Sequence, residues 1–388
     1  MHLLLSEELL EVKNLSRQIA EEKIKPVRLE YDEEAKFPKE IMEYLAKSDL
    51  FRVFIPEEYD GMGLGITGMS IATEELSRVC AGIALGYAGT GLGTMPIILF
   101  GNEEQKKKYL PQIASGEKLA AFGLTEPDAG SDASNIKTVA KKDGDFYRIT
   151  GTKQFITNGE VADIYVIIAN VNPERGIRGL TAFIVEKGER GFTFGKHENK
   201  MGIRASATVE LVFDDCKVPK ENILSGEGQG FKVAMKTLDY SRIGVGAQAL
   251  GIAQGAYEES VNYASQRVQF GQKIISFQMI QNMIANMAIK IEAARALTYT
   301  SARYVDGGGR DIARVGSMVK TFCSDVAMEV TTDAVQVFGG YGYIKEYPVE
   351  KMMRDAKITQ IYEGTNQIQR LVIAQEIIKR GCEITDMY

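Results

Sequence analysis

Apolar residues change their period twice along this chain, and each change marks a different kind of element. Up to about residue 120 they recur every three or four positions, with Leu5, Leu9, Val12 and Ile19 near one face, the spacing of amphipathic helices. Asn102-Glu103-Glu104-Gln105 carries the residues of a helix-starting capping box. From about 121 to 225 the apolar runs shorten. Ile164-Tyr165-Val166-Ile167-Ile168, Ala182-Phe183-Ile184-Val185 and Val209-Glu210-Leu211-Val212-Phe213 are rich in β-branched and aromatic residues and lie between Gly, Asp and Asn turns, which predicts strands. Beyond about 226 the helical period returns. Leu250, Ala253, Tyr257, Val261 and Ala264 form one stripe, and Ile280, Ile284, Met287, Ile291 and Ala294 form another. The expected fold is α+β and mainly α: a helical N-terminal domain over 1–120, a small middle β domain over 121–225, and a C-terminal domain over 226–388 with helices long enough for a four-helix bundle. Asp306-Gly307-Gly308-Gly309 is the tightest break between helices.

Composition narrows the function. With 388 residues the chain exceeds one ordinary domain. Its 46 Lys+Arg stand against 52 Asp+Glu, a net charge of -6, and a nucleic-acid partner would need a basic face. An anionic ligand must then be met by local cations. Cys80, Cys216, Cys323 and Cys382 are widely spaced and there are only two histidines, His2 and His197, so no metal site is expected. Unpaired thiols point to a reducing, cytoplasmic compartment. The acidic start Met1-His2-Leu3-Leu4-Leu5-Ser6-Glu7-Glu8-Leu9 has neither the basic region nor the long apolar core of a signal peptide. No apolar run near the roughly 18 residues needed to cross a bilayer is expected, which argues against a membrane partner.

Two segments carry the chemistry. In Ile361-Tyr362-Glu363-Gly364-Thr365-Asn366-Gln367, one carboxylate stands beside a glycine and small polar groups, ahead of a helix starting near Gln367. A carboxylate in a dry pocket has its pKa raised toward the working pH, which suits a general base. Glu363 is the candidate; its plainer alternative is a solvated acid at a helix start. In Phe122-Gly123-Leu124-Thr125-Glu126-Pro127-Asp128-Ala129-Gly130-Ser131-Asp132, hydroxyls and turn N–H groups suit a phosphate and a flat polar ring, or simply a Pro/Gly turn. No Gly-x-Gly-x-x-Gly follows an expected strand, so a nicotinamide site is not indicated.

These segments, with Gln154-Phe155-Ile156-Thr157-Asn158-Gly159, Arg267-Val268-Gln269-Phe270-Gly271 and Gln336-Val337-Phe338-Gly339-Gly340, resemble the acyl-CoA dehydrogenase flavoproteins over essentially the whole chain. The resemblance implies FAD between the β domain and the C-terminal bundle. It implies cofactor contacts from Phe122, Leu124, Thr125, Ser131, Phe155, Ile156 and Thr157, then from Arg267, Gln269, Phe270, Gln278, Gln336, Val337, Phe338, Gly339 and Gly340, and finally from Thr365 and Gln367. Relatives often carry Trp at the Phe155 position, and this chain has no Trp. Part of the second set belongs to a neighbouring subunit in the family, so a homotetramer built as a dimer of dimers is implied.

For the substrate, an acyl-CoA, the resemblance implies Ser131, the segment Asp239-Tyr240-Ser241-Arg242, Tyr362 and Gly364. Branched-chain and long-chain relatives place their base near Ser241, which is no base, so Glu363 marks the straight short-to-medium pattern, closest to butyryl-CoA dehydrogenase. Glutaryl-type relatives keep an Arg in the segment matching Gly86-Tyr87-Ala88-Gly89-Thr90-Gly91-Leu92-Gly93, where this chain has no cation. Those glycines either widen the pocket for a bulky or cyclic acyl group or let helices pack closely. The implied activity is α,β-dehydrogenation of a short acyl-CoA, with electrons passed to an electron-transferring flavoprotein. Alternatives are an enoyl-CoA reductase using the same residues in reverse, including an electron-bifurcating one, a dehydrogenase for a branched or cyclic acyl group, and an inactive acyl-CoA-binding or assembly protein.

Overall fold

The computed structural model describes residues 5–380; His2 and Cys382 lie outside them. Five helices come first: α1 (Glu7–Ile19), α2 (Arg28–Glu34), α3 (Lys39–Lys47), α4 (Gly65–Phe100) and α5 (Glu103–Ala114). The capping box forms as the sequence predicts, with Asn102 Oδ1 accepting from Gln105 N at 2.8 Å and Gln105 Oε1 accepting from Asn102 N at 3.0 Å. The middle of the chain is an eight-stranded sheet of β1 (Ala120–Gly123), β2 (Val139–Asp143), β3 (Phe146–Thr157), β4 (Ile164–Asn170), β5 (Leu180–Glu186), β6 (Phe192–His197), β7 (Thr208–Pro219) and β8 (Ile223–Leu224). The strand order is β6-β7-β3-β2-β4-β5-β8, with β1 running parallel to β4. The three predicted apolar runs fall on β4, β5 and β7.

The C-terminal part holds α6 (Gly230–Gln266), a hairpin of β9 (Val268–Gln269) and β10 (Gln272–Lys273), then α7 (Gln278–Asp306), α8 (Ile312–Phe338), α9 (Val349–Thr359) and α10 (Asn366–Arg380). The α6 and α7 stripes meet in one apolar cluster: Leu250, Ala253, Ala264, Met287, Ile291 and Ala294 are buried there with Val319, Cys323 and Ala327 of α8. This is the α+β, mainly helical architecture the periodicity predicts.

One expectation is corrected. Among the described residues α4 is a helix long and apolar enough by composition to cross a bilayer, and most of it is buried in the protein. Glycines, threonines and serines dilute its apolar residues, so no unbroken run announces it. Nor is it a straight rod. Cys80 leaves the helical region with φ -157° and ψ 104°, and the side chain of Met69 reaches the backbone of Gly91. A straight helix would hold those residues roughly 33 Å apart at 1.5 Å per residue. The helix therefore doubles back at Cys80 into two arms, which also brings Ile66 and Met95 into one cluster. The start of the first arm has no local side-chain cap. Instead Asp306, at the end of α7, accepts from Ile66 N and Thr67 N at 2.8 Å each and from Thr67 Oγ1 at 2.6 Å, which satisfies donors that a helix start leaves open.

Candidate active site

The chain between α9 and α10 turns sharply at Glu363, φ 54°, and Gly364, φ 92°. Left-handed backbone is disfavoured for a glutamate, so neighbours must hold it there. Gln369 Nε2 donates to both Glu363 O and Gly364 O at 2.9 Å. Arg242 Nε donates to Glu363 O at 3.3 Å. From α8, Lys320 Nζ donates to Gly364 O at 2.9 Å and to Asn366 Oδ1 at 2.7 Å. Asn366 in turn donates to Ser324 Oγ and Asp325 Oδ1 at 2.8 Å each.

The carboxylate faces α6. Ser241 Oγ donates to Glu363 Oε2. Burial pushes the Glu363 carboxyl above the usual carboxylate range, against the Ser241 hydroxyl and the positive charges of Arg242 and Lys320, which pull it down. Lys320 is itself fully buried, and burial lowers its ammonium to about 7 despite the attraction of Glu363. Arg242 is also buried, and its Nη1 donates to Asp239 Oδ1 at 3.1 Å. Both Arg242 contacts thus lie within the chain, beside the carboxylate. Tyr240 and Ser241 line a small cavity with Ile66, Met69, Ser70, Gly91, Leu92, Met95 and Gly244, about 10 Å³ in volume and without a charged residue in its wall. Tyr362 reaches the bend of α4: its hydroxyl donates to Gln248 Oε1, and Gln248 Nε2 donates to Ala81 O at 3.2 Å.

The residues expected at the flavin fall into two places. The first set lies where β1 and β3 end. Phe122, Leu124 and Ile156 are buried, Thr125 and Thr157 are half-buried, and Ser131 is exposed. Gln154 N donates to Thr125 O at 2.8 Å, tying the loop to β3. Phe155 sits at φ 60° with 57% of its surface exposed, an open aromatic face. Beneath the loop Lys153 Nζ donates to Glu126 Oε1 at 2.6 Å, both residues buried. The second set surrounds an open cavity of about 790 Å³ lined by Arg267, Gln269, Phe270, Val337, Phe338, Gly339 and Gly340 among others. Gln278 starts α7, and Gln336 is exposed near the end of α8. Thr365 Oγ1 accepts from Ile368 N at 3.3 Å at the start of α10, and Gln367 is exposed.

These surroundings fit FAD. A Cβ added at Gly339 or Gly340 would meet no atom within 4 Å, leaving bare backbone for a pyrophosphate, with the Arg267 guanidinium on the same wall. Phe155 offers a flat apolar face to a ring.

The structure also answers the question of the glycines in the second arm of α4. A Cβ at Gly86 would lie 2.7 Å from Met42 Sδ, at Gly89 2.9 Å from Thr157 Cγ2, and at Gly93 2.4 Å from Ala121 N. Those three serve close packing; Gly91 alone among the four borders the small cavity. Sequence reasoning missed Met69 and Lys320. A clue to Lys320 existed in its place on a stripe of small and apolar residues, Gly316, Cys323, Ala327 and Val330, which are all buried.

Comparison with known proteins identifies the family. Sequence profiles of the acyl-CoA dehydrogenase N-terminal, middle and C-terminal domains match residues 6–117, 121–216 and 228–378. The short-chain-specific acyl-CoA dehydrogenase of Clostridium acetobutylicum is 49% identical over 370 residues, 95% of this chain and 97% of that protein. Butyryl-CoA dehydrogenase from Megasphaera elsdenii superposes with a TM-score of 0.94 at 46% identity, covering 96% of this chain and 99% of that one. A chain from structural work on the electron-transferring flavoprotein of Acidaminococcus fermentans and flavin-based electron bifurcation superposes at 0.95 with 49% identity, covering 97% and 99%. By sequence profile, close relatives and fold alike, this chain belongs to the acyl-CoA dehydrogenase family of FAD-dependent oxidoreductases.

Proposed function

We propose that the protein desaturates a short straight-chain acyl-CoA between its α and β carbons, with Glu363 as the base. The observation that carries this reading is a raised-pKa carboxylate hydrogen-bonded by Ser241 at the edge of a small, uncharged cavity. Glu363 removes the α-proton, and its elevated pKa makes it a stronger acceptor once ionised. The backbone N–H of Glu363 is the proposed donor to the thioester carbonyl, where negative charge develops. A Cβ at Gly364 would lie 2.6 Å from Gln369 Nε2, so the glycine admits Gln369 to the turn while its backbone meets the thioester in this reading. Bound FAD supplies the acceptor for the hydride that leaves the β-carbon.

Arg242, held by Asp239, fixes the Glu363 backbone, and both belong with Tyr240, Ser131 and Tyr362 to the substrate surface in this reading. Phe122, Leu124, Thr125, Ser131 and Phe155 to Thr157 hold the cofactor ring, with Arg267, Gln269, Phe270, Gln278 and Gln336 to Gly340 on its phosphates and Thr365 and Gln367 nearby. A wall without a cation disfavours a dicarboxylic acyl group. The reading extends to domains at 1–120, 121–225 and 226–388, a homotetramer, a cytoplasmic setting, and neither nucleic acid nor membrane as partner.

Electrons leave to an electron-transferring flavoprotein. Similarity to the NADH-dependent acryloyl-CoA reductase of Anaerotignum propionicum, 47% identical over 371 residues, favours a second reading too, in which the same residues act on an enoyl-CoA in the reducing direction.

Anaerobic titration with acyl-CoAs of increasing length, followed by flavin bleaching, tests the assignment. Bleaching by butyryl-CoA is expected. A colourless preparation, or no bleaching with any acyl-CoA, rejects it. Turnover with electron-transferring flavoprotein or a ferrocenium dye is expected to exceed turnover in air; peroxide formed at the dye-coupled rate would identify an oxidase.

A further inference from the structure

We infer that the side chain of Met69 is the stop that sets acyl chain length, an inference that rests on the proposed role of Glu363 as base. Ser241 borders the small cavity together with Ser70 and Tyr240, and it is the Ser241 hydroxyl that binds the Glu363 carboxylate. A base that removes an α-proton must lie within hydrogen-bond reach of it. The acyl tail beyond the β-carbon therefore runs from Ser241 into the space between the two arms of α4. Its volume of about 10 Å³ is that of roughly one water-sized probe sphere.

Met69 closes that space. A Cβ at Gly91 would lie 2.2 Å from Met69 Cε and 2.9 Å from its Sδ, and a Cβ at Gly244 would lie 3.8 Å from the same Cε. The thioether tip thus rests on the bare backbone of the second arm and reaches toward α6, across the floor of the cavity. Met69 is buried, and its neighbours on that wall, Met95 and Tyr240 among them, carry no charge. Methionine has three rotatable bonds and adapts to its surroundings, so the stop is graded. A four-carbon chain needs a small adjustment, and each additional pair of methylenes must displace the tip from Gly91.

The two glycine contacts make the inference testable in opposite directions. Met69→Ala removes the tip, while Gly91→Ala pushes it into the cavity. Calorimetric Kd values for propionyl-, butyryl-, hexanoyl- and octanoyl-CoA, measured on FAD-loaded Glu363→Gln protein so that nothing turns over, separate binding from chemistry. With Met69→Ala added, the preference for butyryl- over octanoyl-CoA is expected to fall at least tenfold, within the range a hydrophobic pocket achieves. With Gly91→Ala added, butyryl-CoA is expected to weaken relative to propionyl-CoA. Bleaching assays in the Glu363-intact proteins should follow the same order. An unchanged chain-length ratio in whichever of the two variants retains FAD, or a starting preference for octanoyl-CoA, overturns the inference. Failure of the Glu363 reading would appear differently, as bleaching that survives Glu363→Gln, or as no bleaching at any chain length while the binding ratios still respond to Met69.

Discussion

Ser241 and Glu363, separated by 122 positions in the sequence, are joined by a hydrogen bond from the serine hydroxyl to Oε2 of the carboxylate. The bond favours the ionised carboxylate and opposes the upward push of burial. Ser241 therefore tunes the proposed base.

The pH profile should report that tuning. A general base works only when ionised, so activity is present above the Glu363 pKa and lost as pH falls through it. Ser241→Ala removes an influence that lowers this pKa, and the acid limb of kcat/KM is expected to move to higher pH. Ser241→Thr, which keeps a hydroxyl, should restore it. An acid limb that stays in place in the alanine variant would show that the hydroxyl does not act on the base.

Glu363→Gln keeps the size and hydrogen-bonding reach of the side chain but cannot accept the α-proton. Loss of a general base typically costs about 10²–10⁴-fold, and FAD content should be unchanged. More than a tenth of the original bleaching rate with butyryl-CoA would place the base elsewhere.

Lys320→Met withdraws a buried donor from Gly364 O and Asn366 Oδ1. Leaving a buried acceptor unmet costs about 1–3 kcal/mol, so a lower Tm is expected. The turn should loosen as well, and misplacing a reacting group by about 1 Å can cost roughly 10²-fold in rate. The fall should appear in kcat more than in KM. Equal kcat values for the two proteins would confine Lys320 to stability.

Arg267 lies on the wall of the larger cavity, its guanidinium 5.1 Å from the centre of the Tyr341 ring. Arg267→Ala should lower FAD occupancy and weaken subunit association together, because a ligand held by the assembled form stabilises it by mass action. Size-exclusion chromatography with and without added FAD reads both. A fully flavinylated variant of unchanged size would return Arg267 to the ordinary protein surface.

The sequence made the elements legible where one physical signal dominated. Short β-branched and aromatic runs between turn residues located β4, β5 and β7, helical stripes located α6 and α7, and Asn102 with Gln105 located the start of α5. The motif around Glu363 brought the carboxylate into view. What escaped were relations that local pattern does not encode. The reversal of α4 depends on a single residue, Cys80, leaving helical geometry. Lys320 lies on a stripe of small and apolar residues, but only three-dimensional packing shows that its ammonium is enclosed against the Glu363 turn. The bulky residues held at positive φ, among them Phe155, Phe270 and Glu363, are positions that local preference resists and only the surrounding structure can hold.

The cap that Asp306 places on Ile66 and Thr67 has a consequence for how the chain is made. The cap and the helix start are 240 residues apart, so on the ribosome the first arm of α4 emerges long before the carboxylate that completes it. Domains emerging first usually fold first. Here the opening turn of α4, and with it Ile66 and Met69 beside the small cavity, awaits the end of α7. The pocket is thus completed late in synthesis, and a truncated chain ending before Asp306 would lack this closure however well its earlier helices had formed.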